Sequence, residues 1–323
     1  MKSVQLYTPE LTVSRLCLGT VGFGSTMDDR TSFAYMDRFA ELGGNFLDTA
    51  RVYADWLPDA PRQASEKCIG RWLRARGMQD KCIVATKGGH PPLDGSGGPT
   101  LSPEELSRQA DESRRNLGLD TLPLYYLHRD DPRIPISHIM DALFTLQDRG
   151  VIRHVGLSNW TLDRILAAGG YARLNGREAF AVISNQWSLA RPVPGAGDPT
   201  LVHMDGELLK LHRQLHIPLA PYTAMAQGVL SKMAAGVPLF PALKQQWGTP
   251  ENEAIAARAR ILAEQKGMTV AQIAQCFFYA QDFPVAPVMS FSSIAQLEEA
   301  AQAADLSLTA AEADWLRSGD PHQ

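Results

Sequence analysis

Short apolar, β-branched or aromatic runs alternate with longer stretches of helical period along almost the whole chain. The runs predict strands at 16–19, 45–48, 82–87, 124–128, 154–157, 181–184, 218–221 and 285–288. The helical period predicts helices near 30–42, 63–76, 102–117, 136–149, 161–174, 204–215 and 252–282, the last broken near Gly267 where MTVAQIAQ restarts the pattern. Ser102 reads as an N-cap, with Pro103 at the first helical position and Glu104 and Glu105 near the positive end of the dipole. Gly118, Gly150 and the pair Gly169 and Gly170 read as helix-closing caps.

Strands and helices alternating in this number point to an α/β chain forming a (β/α)8 TIM barrel, a single domain over 1–323, rather than a doubly wound sheet. The glycines of LGTVGFGS fall in the order G-x-x-G-x-G, which is wrong for a dinucleotide fingerprint. Three Gly- and Pro-rich stretches, 88–100, 188–206 and 236–250, follow predicted strands and are expected to be long loops at the C-terminal face of the barrel.

Composition narrows the partners more than the fold. With 323 residues and 45% hydrophobic content the chain can bury a full core, and its net charge of −4 leaves nothing to attract a nucleic acid or an anionic membrane. Cys17, Cys68, Cys82 and Cys276 are far apart and form no C-x-x-C pair, which fits a reducing cytosol and no structural zinc. His212 and His216 are four apart on one predicted helix, but no third ligand accompanies them, so no metal is expected. The remaining histidines outside the predicted site, His322 among them, read as surface or loop residues. No segment approaches transmembrane length and no apolar leader opens the chain, so a cytoplasmic location is expected. Oligomeric state is not legible.

Four polar residues carry the candidate chemistry: Asp48, Tyr53, Lys87 and His128, each at or just beyond a predicted strand end. Singly, Asp48 reads as a cap, Tyr53 as packing, Lys87 as a solvated end and His128 as a structural imidazole. Together they form a tuned proton donor. A phenol is a poor acid at neutral pH, with an ordinary pKa of about 10, and a neighbouring ammonium eases loss of its proton. A carboxylate holds the ammonium in place, and an imidazole can orient a carbonyl. Hydride has to come from a cofactor, because no side chain supplies it.

The motifs LCLGTVGFG, GGNFLDTARVY (43–53), ATKGGHP (85–91), LDTLPLYYLHRDDP (119–132), IRHVGLSNW (152–160), SNQWSLA (184–190), APYTAMAQGVL (220–230) and PVMSFSSIAQLEEA (287–300) run in order along the chain. In that order and spacing the chain resembles the aldo-keto reductase superfamily. The resemblance implies a barrel that binds a nicotinamide cofactor without a Rossmann domain, with Tyr53 as general acid/base and Asp48, Lys87 and His128 as its partners. It further implies that Ser158, Asn159 and Gln186 hold the nicotinamide carboxamide and that Tyr222 stacks on the ring. Met225, Ala226, Gln227, Gly228 and Leu230 would cradle the pyrophosphate, while Ser290, Ser292, Ser293, Gln296 and Glu299 would meet the adenosine end. Gly19 and Thr20 would line the floor.

One departure concerns the cofactor. The segment after the eighth predicted strand has no Lys or Arg before residue 300, where NADPH-preferring relatives place a cation, and Glu298 and Glu299 stand there instead. NAD(H) is therefore expected at least as readily as NADP(H). Trp56, Trp160 and Trp187 follow motif residues closely and, with His90 and Arg129, are the substrate-pocket candidates. Asp55, Asp130 and Asp131 beside them point to a sugar-like or other polar carbonyl or alcohol as the small-molecule substrate. The competing reading is a regulatory subunit that binds cofactor and does little chemistry.

Overall fold

The computed structural model describes residues 1–97 and 100–320. Gly98 and Pro99, inside the predicted 88–100 loop, and His322 lie outside the described residues. A hairpin that the sequence reading missed opens the chain, β1 (Ser3–Gln5) antiparallel to β2 (Thr12–Ser14). Seven parallel strands follow: β3 (Cys17–Gly19), β4 (Phe46–Asp48), β5 (Ile83–Gly88), β6 (Leu122–Leu127), β7 (Ile152–Ser158), β8 (Val182–Ser184) and β9 (Val288–Met289). Their lateral order is β8-β7-β6-β5-β4-β3-β9, so the first parallel strand has the last as one neighbour.

The predicted strand at 218–221 makes single bridges instead of a ladder, from Leu219 to Ile183 on one side and to Val285 on the other. Pro218 and Pro221 have no N–H to give, so regular pairing stops at Leu219 and Ala220. The backbone bonds that do form are Ile183 N to Pro218 O, Ala220 N to Ile183 O, Leu219 N to Pro284 O and Ala286 N to Leu219 O.

Helices pack outside the sheet. Ser102 caps Pro103–Leu117 by accepting from Glu105 N, and Gly118 and Gly150 take positive φ as predicted. The long C-terminal helical stretch is two helices, Pro250–Lys266 and Val270–Tyr279, with Gly267 left-handed between them. Gly169 and Gly170 do not close their helix: Leu162–Leu174 runs through them, because Ile165, Ala168 and Ala172 keep one face buried, and Gly176 supplies the positive φ instead. The predicted 236–250 loop contains the helix Pro241–Trp247, started by Pro241 at its first position. Among the described residues no helix is long and apolar enough to cross a membrane.

One core cluster lies between sheet and helices, and a second gathers Leu6, Leu11 and Val13 of the hairpin region with Phe46, Leu124, Tyr126 and Ala220 inside the sheet. The hairpin therefore plugs the inner core. Gly156 makes room there: a Cβ on it would lie 2.3 Å from the Tyr126 ring.

His212 is buried on the helix Gly206–Leu215, where its Nδ1 donates to Ile217 O at 2.7 Å and its Nε2 has no partner among the described residues. Burial pushes its pKa from 6.5 down to about 4. The folded state thus binds fewer protons than the unfolded one, so stability is lost as pH falls from about 6.5 toward 4, by roughly 3 kcal/mol from this residue. Denaturant titrations from pH 7.5 to 4.5 are expected to show that loss in the wild type and a shallower one in His212→Gln; equal slopes would refute the assignment.

Candidate active site

Strand register delivers the four polar residues to one rim. Asp48, last in β4, lies opposite Ala85 of β5; Lys87 is two residues further along β5, on the same face and nearer the rim. His128 is the first residue after β6 and is tied back by its N–H to Gly88 O at 2.8 Å. Tyr53 sits in the turn after β4, its N–H bonded to Ala50 O.

The Lys87 ammonium uses all three of its protons: to Asp48 Oδ1 at 2.6 Å, to Thr49 O at 2.8 Å and to the Tyr53 hydroxyl oxygen at 3.1 Å. The Tyr53 oxygen is therefore an acceptor toward lysine, while its own proton has only a long 3.4 Å contact to Asp48. That proton is left to be given to something else.

The electrostatics differ from the simple expectation. Burial raises the Tyr53 phenol above its ordinary value; Lys87 pulls it down and Asp48 pushes it up. Burial likewise raises Asp48, against the pull of Lys87. For Lys87, burial works downward but the charges of Asp48 and Tyr53 outweigh it, and the ammonium ends above its usual value. His128 is held well below 6.5, first by burial and then by the charges of Lys87, Arg129 and His90. It is a neutral imidazole whose Nδ1 has no partner among the described residues, its ring 6.1 Å from that of Tyr53 and 4.9 Å from that of His90, centroid to centroid.

A cavity of about 950 Å³ opens from Tyr53 and Asp48 toward the end of β9. It brings together Gly19, Thr20, Tyr222, Met225, Gln227 and Gly228, and beyond them Ser290, Ser292, Gln296 and Glu299, all named from the sequence. Its backbone is shaped for close approach: Gln227 and Gly228 both have positive φ, and a Cβ on Gly19 would lie 2.8 Å from Ser290 Oγ. Two helix N-termini contribute to its wall, Val270–Tyr279 capped by Thr269 and Ile294–Ala303 capped by Ser293. Thr269, Val270, Gln272 and Gln275 line it although the sequence reading passed over them. The capping box at Thr269 and Gln272 was the signal that could have found them. Lys232, also missed, is the only Lys or Arg among its described lining residues, and its Nζ is bonded to Gln227 O at 2.7 Å.

Other candidates fall elsewhere. Ala226 and Leu230 turn their side chains into the core, which leaves only their backbone for a ligand, and Ser293 is engaged as the helix cap. Ser158, Asn159 and Gln186 are buried beside the cavity rather than lining it. Asn159, at φ 60°, has its amide fully engaged, accepting from Tyr222 and Val202 and donating to His128 O and Ser158 Oγ. Gln186 Oε1, buried and without a partner among the described residues, remains a free acceptor, and the residue lines a separate, smaller cavity.

Of the substrate candidates, Trp56 is about half exposed with its ring edge-on to Tyr53, 6.2 Å away, and His90 adjoins His128. Arg129 donates to His128 O and faces Asp198. Trp160 and Trp187, expected at the pocket, do not line the cavity of Tyr53. Trp160 is buried in the core with Arg164 stacked over it, and Trp187 is packed among Phe277, Phe278 and Phe283. The acids are also corrected: Asp130 is held bidentately by Arg164, Asp131 by Arg133, and Asp55 by Gln63 N and Arg62. Glu298 pairs with Arg38 and does not line the cavity.

Residues 15–319 match the aldo/keto reductase family. The chain belongs to that family. Among its relatives are norsolorinic acid reductase of Emericella nidulans, 28% identical over 88% of this chain and 73% of its own length, and the aryl-alcohol dehydrogenase [NADP(+)] of Phanerodontia chrysosporium, 25% identical over 96% and 83%. An aldo-keto reductase from Bacillus halodurans, solved in its holo form, superposes with a TM-score of 0.72 at 26% identity, covering 99% of this chain and 96% of that one. A thermostable aldo-keto reductase solved with the inhibitor epalrestat gives 0.74 at 19% identity, covering 98% and 99%, a likeness of fold. As an aldo-keto reductase the chain is an NAD(P)-dependent oxidoreductase acting on small carbonyl compounds.

Proposed function

We propose that the protein transfers hydride between a nicotinamide cofactor and the carbonyl carbon of a polar aldehyde or ketone, with Tyr53 as general acid/base. The observation that carries this reading is the ammonium of Lys87, whose three protons go to Asp48, Thr49 and Tyr53, so that the phenol proton is free to leave toward the rim. The 218–221 segment, bonded on both sides, would close the ring of strands into a (β/α)8 barrel whose rim collects these residues.

The large cavity suits a nicotinamide dinucleotide in its lining, its left-handed turn at Gln227 and Gly228 and its two helix N-termini. Gln186, with its free Oε1, would hold the carboxamide once the wall between it and the cavity gives, with Asn159 fixing Tyr222 beside it; Tyr222 would stack on the ring, and the 225–228 turn with Lys232 would take the pyrophosphate. Ser290, Ser292, Gln296 and Glu299 would meet the adenosine. When bound, the reduced nicotinamide supplies the hydride. Neutral His128 donates a hydrogen bond to the carbonyl oxygen, and Tyr53 gives that oxygen its proton; the reverse sequence oxidises an alcohol.

For cofactor choice we propose that NAD(H) serves at least as well as NADP(H). Glu299 and the serines face the adenosine end without a cation, and Lys232 lies against the pyrophosphate turn, which both cofactors share. The ratio of kcat/KM for NADPH over NADH is expected to stay below about ten, and a preference of about a hundredfold would overturn the reading. Lys232→Ala is expected to weaken both cofactors alike, by roughly fivefold to tenfold.

With three of the nearby acids tied up, the sugar-like reading rests on His90, His128 and Arg129. A second reading, an aryl carbonyl, is favoured by the half-exposed Trp56 beside Tyr53. Steady-state oxidation of NADH and NADPH across aldoses, ketoses and aryl aldehydes decides between them. No turnover with any carbonyl would instead favour the regulatory-subunit reading.

A further inference from the structure

A second cavity, of about 410 Å³, lies beneath the 188–206 segment, walled by the helices Pro241–Trp247 and Ala310–Ser318. Among the described residues none lines both this cavity and that of Tyr53, although Gln186, proposed above for the nicotinamide carboxamide, stands in the wall of this one. Its wall has donors in excess. Trp187 and Trp247 are buried there, and among the described residues neither indole N–H finds an acceptor, nor does Arg191 Nε, while NH1 of that guanidinium is held by Glu251; against these three donors the wall offers one unpartnered acceptor, Gln186 Oε1. Arg317 lines the same space. Among the described residues it has no carboxylate partner, and the hydrogen bond it makes is from NH1 to Ser188 O at 3.3 Å. Burial, and then the charge of Arg191, pull its pKa down to about 10. The single carboxylate in the wall, Asp205, is engaged at Leu208 N as a helix cap.

Unmatched donors around a confined space call for an acceptor from outside. Met204, Leu209 and Pro192 add an apolar side to the same wall. We propose that this cavity is a binding site for a small organic carboxylate, its head on Arg317, Arg191 and the two indole N–H groups, its body against Met204 and Leu209. The cavity lies within the size range of small-ligand pockets.

The test follows the indole N–H resonances of the full chain carrying isotopically labelled tryptophan, assigned with Trp187→Phe and Trp247→Phe. Sodium butyrate, sodium benzoate and inorganic phosphate are titrated in turn, with sodium chloride holding ionic strength constant. The expected result is a saturable shift of both resonances with butyrate or benzoate and a Kd raised at least about tenfold in Arg317→Gln. If that variant does not fold, the Trp247→Phe protein takes its place, with the Trp187 resonance as reporter and an expected weakening of roughly fivefold. Absence of saturation with both carboxylates, saturation with phosphate alone, or an unchanged Kd in the variant would overturn the proposal.

Discussion

Tyr53→Phe is expected to lower kcat by roughly a thousandfold while leaving the Kd of NADH within about twofold. The substitution keeps the ring, and with it the edge contacts to Trp56 and His128, and removes only the oxygen that lies between Lys87 and the rim. Partly buried and raised above its ordinary value, the phenol holds its proton at neutral pH, so the proposed donor is fully populated. In the proposed reaction its removal would leave the carbonyl oxygen with His128 alone, a neutral imidazole that polarises but is a poor source of a proton. Stopped-flow hydride transfer with NADH and the best carbonyl of the panel measures the effect, and turnover within about tenfold of wild type would refute the role of Tyr53.

The second large effect is on stability. Lys87→Met is expected to destabilise the fold by about 3–5 kcal/mol, because it strands a buried carboxylate that has lost its cation. Asp48 is already raised by burial with lysine beside it, and without lysine it rises further. A carboxylate whose folded pKa exceeds its unfolded one makes the folded state bind more protons, so the penalty shrinks as pH falls through that raised value. Denaturant midpoints of Lys87→Met should approach those of the wild type between pH 7.5 and 5. Asp48→Asn combined with Lys87→Met should recover part of the loss, since no charge is then stranded. A pH-independent penalty would mean that packing, not charge, holds this pair.

The strands were legible where an apolar run had N–H groups to offer. The 218–221 run had the right residues, but its two prolines reduce it to bridges, something alternation cannot reveal. The four polar residues were legible because the turn of a strand into its loop puts the next polar side chain at the rim. The tryptophans were not: Trp160 directly follows Ser158 and Asn159, yet the left-handed Asn159 turns the chain there, and the indole is carried under Arg164 into the core. Sequence adjacency to a motif residue says nothing about which way the next side chain points. The acids failed for a related reason, because arginines compete for them with any ligand: Arg164 reaches Asp130 from a distant helix, and Arg133 folds back on Asp131 within the same turn. Lys232 and the Thr269 cap were missed because they reach the cavity from helices rather than from strand ends.

The pairing of β3 with β9 sets Cys17 opposite Val288, so the first of the parallel strands gains one of its two neighbours only when the last of them has been made. During synthesis the N-terminal hairpin and β3 must wait, with Leu6, Leu11 and Val13 still short of the Ala286 side of the core they plug. This inner cluster is thus completed only once β9 is in place, although most of its members precede β9 in sequence. Such long-range closure makes folding slow and leaves nascent chains halted before β9 exposed to aggregation and in need of a chaperone's shelter.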